Sequence, residues 1–232
     1  MTTPEFFDAT WLENGEFDLS QDNRNKTRTM LTRDALVDLH DNEEQLRLHP
    51  LPSRGRAYTY YIRQHDPGEP HAQYVMGLDD KARDSSCPRA AGLLSLGVSV
   101  EKGFEPQQMT GSWSWHRLAK ASPTELDQMI TAIASKVKRP VSISIDAHRP
   151  DSERHPIEYV YANGLLLRHA CPSSLNELQE HIASVNAKMD HWVDFWLTVH
   201  FGFPDVEKMP PLAAANIIYH FRDLRDWLNG VN

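Results

Sequence analysis

Residues 174–201, SLNELQEHIASVNAKMDHWVDFWLTVHF, decide how the C-terminal part of the chain is expected to fold. Apolar residues recur through this stretch at alternating steps of three and four, which is the spacing of one stripe on a helix. The stripe consists of Leu175, Leu178, Ile182, Val185, Met189, Trp192, Trp196 and Val199. Ser174 and Glu177 have the spacing of a capping box, and Gly202 with Pro204 would end the helix. We therefore predict one helix over Ser174–Phe201 that runs from the surface into a core.

Four other stretches carry the periodicity or the end signals of helices. They are residues 3–13; Arg33–Leu46, with Thr32 as its cap; residues 122–137, which open with Ser-Pro-Thr-Glu; and residues 210–230, from Pro210-Pro211 to Gly230. Ser122 supplies a cap, Pro123 suits the first turn, and Glu125 completes a capping box. A connection of roughly ten residues between the last two helices predicts an antiparallel helical pair.

Seven stretches have the period of two that marks strands. They are residues 56–64, 73–78, 92–101, 109–117, 140–148, 157–162 and 165–169. The clearest is Pro140–His148, where apolar and polar residues alternate, as in a sheet with one buried and one open face. Asn163-Gly164 separates the last two stretches and is a strong hairpin signal.

Together these elements predict an α+β fold with a largely antiparallel sheet of about five to seven strands, N-terminal helices, one mid-chain helix and a C-terminal antiparallel helix pair. Residues 1–30 are expected to form an N-terminal helix and a polar strap, and residues 31–232 a single α+β domain. No apolar run approaches the roughly 18 residues that cross a bilayer, so no membrane partner is expected.

Acidic residues are concentrated at the two ends of the chain. Residues 1–50 hold 11 acids and 5 bases, residues 51–170 hold 13 and 15, and residues 171–232 hold 8 and 4, which gives the net charge of −8. Nucleic acid is not an expected partner, because its binding needs a basic footprint. Acidic ends suit either solubility or a basic protein partner. Two cysteines form no disulfide framework, so a reducing, cytoplasmic setting is the default.

One polar strand face is the candidate catalytic site. Asp146 and His148 are two residues apart on a strand and therefore share a face. With Asp151 and His155 nearby, they could hold a metal ion or form an oriented general base. The alternative is a solvated strand face with no function.

Two groups of acids on helices form a second candidate for a cation site. Asp190 and Asp194 would share a face of the long helix, and Asp223 and Asp226 on the last helix could complete the ligand set. A solvated helix face explains the same residues.

Two further groups of residues are candidates for chemistry. Trp113, Trp115 and Arg117 would alternate on one strand face as a platform for a ligand ring or a cation, although tryptophans at this spacing also form cores. Cys87 lies near two arginines, which lower the pKa of a thiol, although an inert loop cysteine fits equally. No phosphate loop, dinucleotide fingerprint, nucleophile elbow or paired CxxC is present, and no cofactor is expected.

An aromatic N-terminal arm favours a binding role. Phe6, Phe7 and Trp11 lie on one side of the short first helix, which would dock either on its own domain or on a partner. The sequence therefore favours a protein-binding module of the inhibitor, immunity or adaptor type, which uses an acidic and aromatic surface to bind another protein of basic character. The alternatives are a small hydrolase or metal-dependent enzyme that uses Asp146 and His148, and a small-ligand binder that uses Trp113 and Trp115.

Overall fold

The computed structural model describes residues 30–40, 46–52, 58–64, 72–78, 94–102, 113–149, 157–162, 165–168, 171–173, 175–187, 191–201, 205 and 208–230. The strands are β1 (Leu46–Pro52), β2 (Tyr58–Gln64), β3 (Gln73–Leu78), β4 (Leu94–Lys102), β5 (Val141–His148), β6 (Ile157–Ala162), β7 (Leu165–Arg168), β8 (Cys171–Ser173) and β9 (Trp192–Phe201). The helices are α1 (residues 30–39), α2 (Trp113–Lys120), α3 (Pro123–Val137), α4 (Leu175–Asn186), α5 (Pro211–Tyr219) and α6 (Arg222–Asn229). The predicted mixture of helices with antiparallel strands is confirmed.

The chain divides into two compact units, and β3, β4 and β9 each contribute residues to both. The first unit draws on Met1–His65, Tyr74–Gly97 and His200–Tyr219; the second draws on Asp66–Gln73, Val98–Val199 and His220–Asn232. The predicted N-terminal helix and strap, with Phe6, Phe7 and Trp11, lie outside the described residues, as does Cys87.

In the first unit β1, β2, β3 and β4 lie side by side in that order, and β2 pairs antiparallel with both β1 and β3. The predicted hairpin of β2 and β3 is confirmed, with Tyr58 opposite Leu78. The predicted helix over Arg33–Leu46 is wrong at its end, because α1 ends at residue 39 and Leu46 begins β1. Since proline cannot donate to a strand ladder, the two prolines of β1 suit its position at the edge of the sheet.

In the second unit the strand order is β4, β9, β5, β6, β7 and β8. The predicted β5 is confirmed, and so is the hairpin of β6 and β7, which places Ala162 opposite Leu165 across a two-residue connection. α3 begins at the predicted capping box, in which the Ser122 hydroxyl accepts from the Glu125 amide and the Glu125 carboxylate accepts from the Ser122 amide. The helix packs on β5, β6 and α4 through the buried residues Leu126, Ile130 and Ile133.

The predicted long helix over Ser174–Phe201 is wrong. The chain forms α4 and then turns into the strand β9, which pairs with β5. Every second residue of β9 is apolar and buried; these residues are Val193, Phe195, Leu197, Val199 and Phe201. β-Branched and aromatic residues fill the strand because they pack well on a pleated surface. The predicted C-terminal helix pair is wrong for the same reason, since its first member ends at Asn186.

The predicted strand over residues 109–117 is also wrong, because Trp113–Lys120 is the helix α2. Its buried residues Trp115 and Leu118 are three apart, as one side of a helix requires. The spacing of Trp113 and Trp115, which matched the period of a strand, therefore does not reflect strand structure. The last predicted helix is divided into α5 and α6 by a turn at His220 and Phe221. Among the helices described, none has the length and apolar character needed to span a membrane.

The phase of β9 can be tested by replacing neighbouring residues. Phe195→Ala should lower the free energy of unfolding by about 3–5 kcal/mol, because it removes a fully buried ring. Trp196→Ala should lower it by less, because Trp196 is half-buried. Urea denaturation of both variants provides the comparison, and a larger loss for Trp196→Ala would contradict the strand phase.

Candidate functional site

The polar face of β5 is buried. Ser142, Ser144 and Asp146 are 3%, 5% and 8% exposed, whereas the sequence predicted that this face would be open to solvent. That prediction is wrong, because both faces of the strand are covered. A strand that alternates serine with isoleucine has no signal that distinguishes a solvated polar face from a buried one. Buried polar side chains are more informative than exposed ones, since each must be hydrogen-bonded or serve a purpose.

The strand register brings together residues that the sequence placed on different elements. Asp146 on β5 is opposite Asp194 on β9, and His148 is opposite Trp192. Residues directly opposite in an antiparallel pair lie on the same face of the sheet. The predicted cation site of Asp190 and Asp194 on one helix is therefore wrong, since Asp194 belongs to a strand. Asp151, His155 and Asp190 lie outside the described residues.

Hydroxyl groups on β4 and β5 add to the buried polar character of the second unit. The Oγ atoms of Ser99 and Ser142 are buried and have no hydrogen-bond partner among the described residues. Buried hydroxyls are normally hydrogen-bonded, so the partners of these two lie in ordered water or outside the described residues. Within the described residues, no group of three or more histidines, cysteines or acids has the arrangement of a metal site.

A groove between α3 and α6 is the second site in this unit. It has a volume of about 190 Å³ and is half-open. The residues that line it are Gln128, Met129, Ala132, Ile133, Lys136, His220, Asp223 and Leu224. Ile133 and Leu224 are buried and form an apolar floor. The polar residues among the eight therefore form a rim around apolar side chains.

The rim of the groove carries opposite charges on its two helices. Lys136 Nζ of α3 lies 3.6 Å from Asp223 Oδ2 of α6, and the two side chains are 49% and 83% exposed. Partial burial lowers the pKa of His220 below its ordinary value, and the positive charge of Lys136 lowers it further. Both effects favour the neutral form of the His220 imidazole.

Side-chain hydrogen bonds hold the end of α6 in place. The Asn229 side chain accepts a hydrogen bond from the Ala72 amide at 2.8 Å and donates one to the Ala72 carbonyl at 3.1 Å. Ser114 Oγ donates to Asn229 Oδ1 at 2.7 Å. This arrangement satisfies both backbone groups of Ala72 with one amide side chain, as a neighbouring strand would. The helix that forms one wall of the groove is thus fixed to the start of β3 and to α2.

The predicted ligand platform does not share one face. Trp115 is buried, and its Nε1 donates to Asn186 Oδ1 at 2.6 Å. The Arg117 guanidinium lies 5.3 Å from the centre of the Trp227 ring, as in a cation–π contact. Trp115 thus joins α2 to α4, and Arg117 joins α2 to α6. Asp226, which the sequence proposed as a metal ligand, accepts from Arg225 at 2.6 Å.

The groove was not predicted from the sequence. Met129 and Ala132 widen the apolar stripe of α3 beyond its buried residues, and this widening is visible in the sequence. Its other wall begins at the turn around His220, and nothing in the sequence marks a helix break there.

The lowered pKa of His220 predicts a pH dependence of stability. The unfolded chain has the ordinary pKa of about 6.5 and therefore takes up a proton before the folded chain does. The stability tied to His220 is complete above that pKa and is lost as the pH falls through the lower folded pKa. Compared with the unmodified protein, the variant His220→Gln should lose less stability over this range in urea denaturation.

The cause of the shift can be tested separately by NMR titration of the His220 ring. Lys136→Gln should raise the pKa of His220 toward its ordinary value, because the variant removes the neighbouring positive charge. Ser135→Gln is the matched control, since Ser135 is exposed on the same helix and does not line the groove. A His220 pKa that is the same in both variants would contradict the assignment.

Comparison with protein families, with curated proteins and with solved structures finds no match to the chain. The function must therefore be argued from the groove and the polar face.

Proposed function

We propose that the chain is a protein-binding module of the inhibitor, immunity or adaptor type, and that the groove between α3 and α6 is part of its binding surface. The observation that carries the proposal is the construction of this groove, with buried Ile133 and Leu224 beneath a charged rim. Protein interfaces are built in this way, with an apolar centre inside a polar border. The residues that dominate binding energy are apolar anchors that fill such pockets on the partner.

The size of the groove supports a side chain as its occupant. Sites for drug-sized ligands and cofactors measure roughly 300–1,000 Å³, whereas this groove measures about 190 Å³. An apolar cavity of about 150 Å³ is filled by one benzene molecule. One aromatic or branched aliphatic side chain therefore suits the volume.

The N-terminal arm forms a second part of the proposed binding surface. Phe6, Phe7 and Trp11 provide aromatic anchors, and the acids Glu5 and Asp8 beside them would attract a basic protein. A reducing, cytoplasmic compartment belongs to the same proposal, since the chain has only two cysteines.

Filling the groove tests its role in binding. Ala132→Leu should abolish capture of the partner from the native host while leaving the melting temperature unchanged, because Ala132 is exposed on α3. Ser135→Leu adds the same side chain outside the groove and should leave capture intact. The captured protein is then purified and titrated against both variants by calorimetry. Equal affinities would exclude the groove from the binding surface.

Deleting residues 1–17 tests the arm. The truncated chain should keep its melting temperature and bind the same purified partner more weakly, because docked aromatic side chains are the usual anchors of an interface. A truncated chain that is strongly destabilised would make the arm part of the fold, and the argument for a binding arm would then fail.

A second candidate function is that of a small hydrolase or metal-dependent enzyme that uses Asp146 and His148. The observation in its favour is the buried polar face of β5, where Asp146 is 8% exposed and is opposite Asp194 in the strand register. Carboxylate oxygens and imidazole nitrogens are donors that divalent cations accept. Since no group of three such residues within the described part of the chain has the arrangement of a metal site, the remaining ligands would have to come from outside that part.

Divalent cations test this second function. If the polar face holds a metal ion, Mn²⁺ or Zn²⁺ should raise the melting temperature, since a ligand that binds only the folded state stabilises it. The rise should disappear in Asp146→Asn, which keeps the size of the side chain and removes its charge. An unchanged melting temperature with Mg²⁺, Mn²⁺, Ca²⁺ and Zn²⁺ would contradict a metal site.

A further inference from the structure

We infer that the groove between α3 and α6 recognises a partner segment in which a large apolar side chain stands next to a carboxylate. The inference rests on the proposed binding function and names the chemistry of its partner. The apolar side chain would lie on Ile133 and Leu224, and the neighbouring carboxylate would face Lys136. A phenylalanine or leucine beside a glutamate or aspartate has this chemistry.

The choice of an acidic neighbour follows from the charges of the rim. Three lining residues carry or can gain a charge: Lys136 on α3, His220 in the turn, and Asp223 on α6. Asp223 is 83% exposed and is therefore well screened by water, whereas Lys136 is 49% exposed beside the apolar wall. The negative charge on the rim is therefore screened more strongly by solvent than the positive one.

The behaviour of His220 agrees with a positive potential in the groove. Apart from burial, the charge that shifts its pKa is that of Lys136, and the direction is downward. A dominant carboxylate would have raised the pKa of the imidazole. The potential that an incoming side chain meets beside His220 therefore favours an anion.

The existing ion pair does not compete strongly with a partner carboxylate. Lys136 and Asp223 are 3.6 Å apart, and both side chains are largely in solvent. Exposed pairs of this kind contribute little to stability, because solvent screens them and ordering two side chains is costly. A carboxylate next to an anchored ring would lose less conformational entropy on pairing with Lys136, and it would therefore replace Asp223 there.

Capped dipeptides provide the probes for this chemistry. Acetyl-Glu-Phe-amide carries both features, acetyl-Lys-Phe-amide reverses the charge, and acetyl-Glu-Ala-amide removes the anchor. Binding to the full chain is followed by NMR through the amide signals of Ala132 and Ile133. Glu-Phe should bind about fivefold more tightly than Lys-Phe, which is the size of effect expected from one partly exposed ion pair. Glu-Ala should bind most weakly.

Three variants assign the charge effect to Lys136. Lys136→Gln should remove the preference for Glu-Phe over Lys-Phe, and Lys136→Arg should restore it. Asp223→Asn should strengthen Glu-Phe binding, because it releases Lys136 from its present partner. Binding of Glu-Phe to the unmodified chain should also strengthen as the pH falls through the lowered pKa of His220 and the imidazole gains its proton, until the glutamate itself is protonated near pH 4.3.

The outcomes separate this inference from the proposed function. Equal binding of Glu-Phe and Lys-Phe, or a preference that persists in Lys136→Gln, would overturn the assignment of an acidic neighbour but leave the groove as an anchor site. Binding of none of the three dipeptides would overturn the inference, and the binding function would then depend on whether Ala132→Leu still abolishes capture. A captured partner whose binding segment has no acid next to its apolar anchor would also overturn it.

Discussion

The antiparallel pairing of β5 with β9 is the interaction on which the second unit depends. Both strands have buried residues on both of their faces, so water cannot satisfy their backbone groups and the neighbouring strands must. Because a slip of one residue would move every side chain to the opposite face, this pairing fixes the register firmly. The register in turn places apolar residues such as Ile145 and Phe195 together on one face, and Asp146 opposite Asp194 on the other.

The elements that the sequence predicted correctly are those with a local signal. β5 alternates cleanly, Asn163-Gly164 marks a hairpin, and the capping box at Ser122 marks the start of α3. β9 was mispredicted because Trp192 and Trp196 are out of phase with its alternating buried residues, so apolar residues at steps of three and four also match a helix. The β-branched and aromatic composition of Trp192–Phe201 was the better guide, since it favours a strand whatever the period.

The candidate sites were less predictable than the elements, because each depends on residues that are distant in sequence. The shared face of Asp146 and His148 follows from strand geometry, but the burial of that face depends on what covers it. The groove needs α3 beside α6, and the end of α6 is held by contacts distant in sequence, such as the Asn229 side chain that hydrogen-bonds both backbone groups of Ala72. A hydrogen bond between residues so far apart in the chain leaves no periodic pattern in the sequence.

The groove and the hydrophobic core share their central residues, and this has a consequence for binding. Ile133 and Leu224 form the floor of the groove and are also buried, while the far end of α6 is held by Asn229 and by the stacking of Arg117 on Trp227. Close-packed interiors resist deformation, so the floor cannot move without disturbing the core. A partner side chain would therefore enter a site that is already formed, and little ordering entropy would be lost by this protein on binding. The adjustable part of the site is its rim, where the exposed ion pair of Lys136 and Asp223 can exchange partners without any change in the fold.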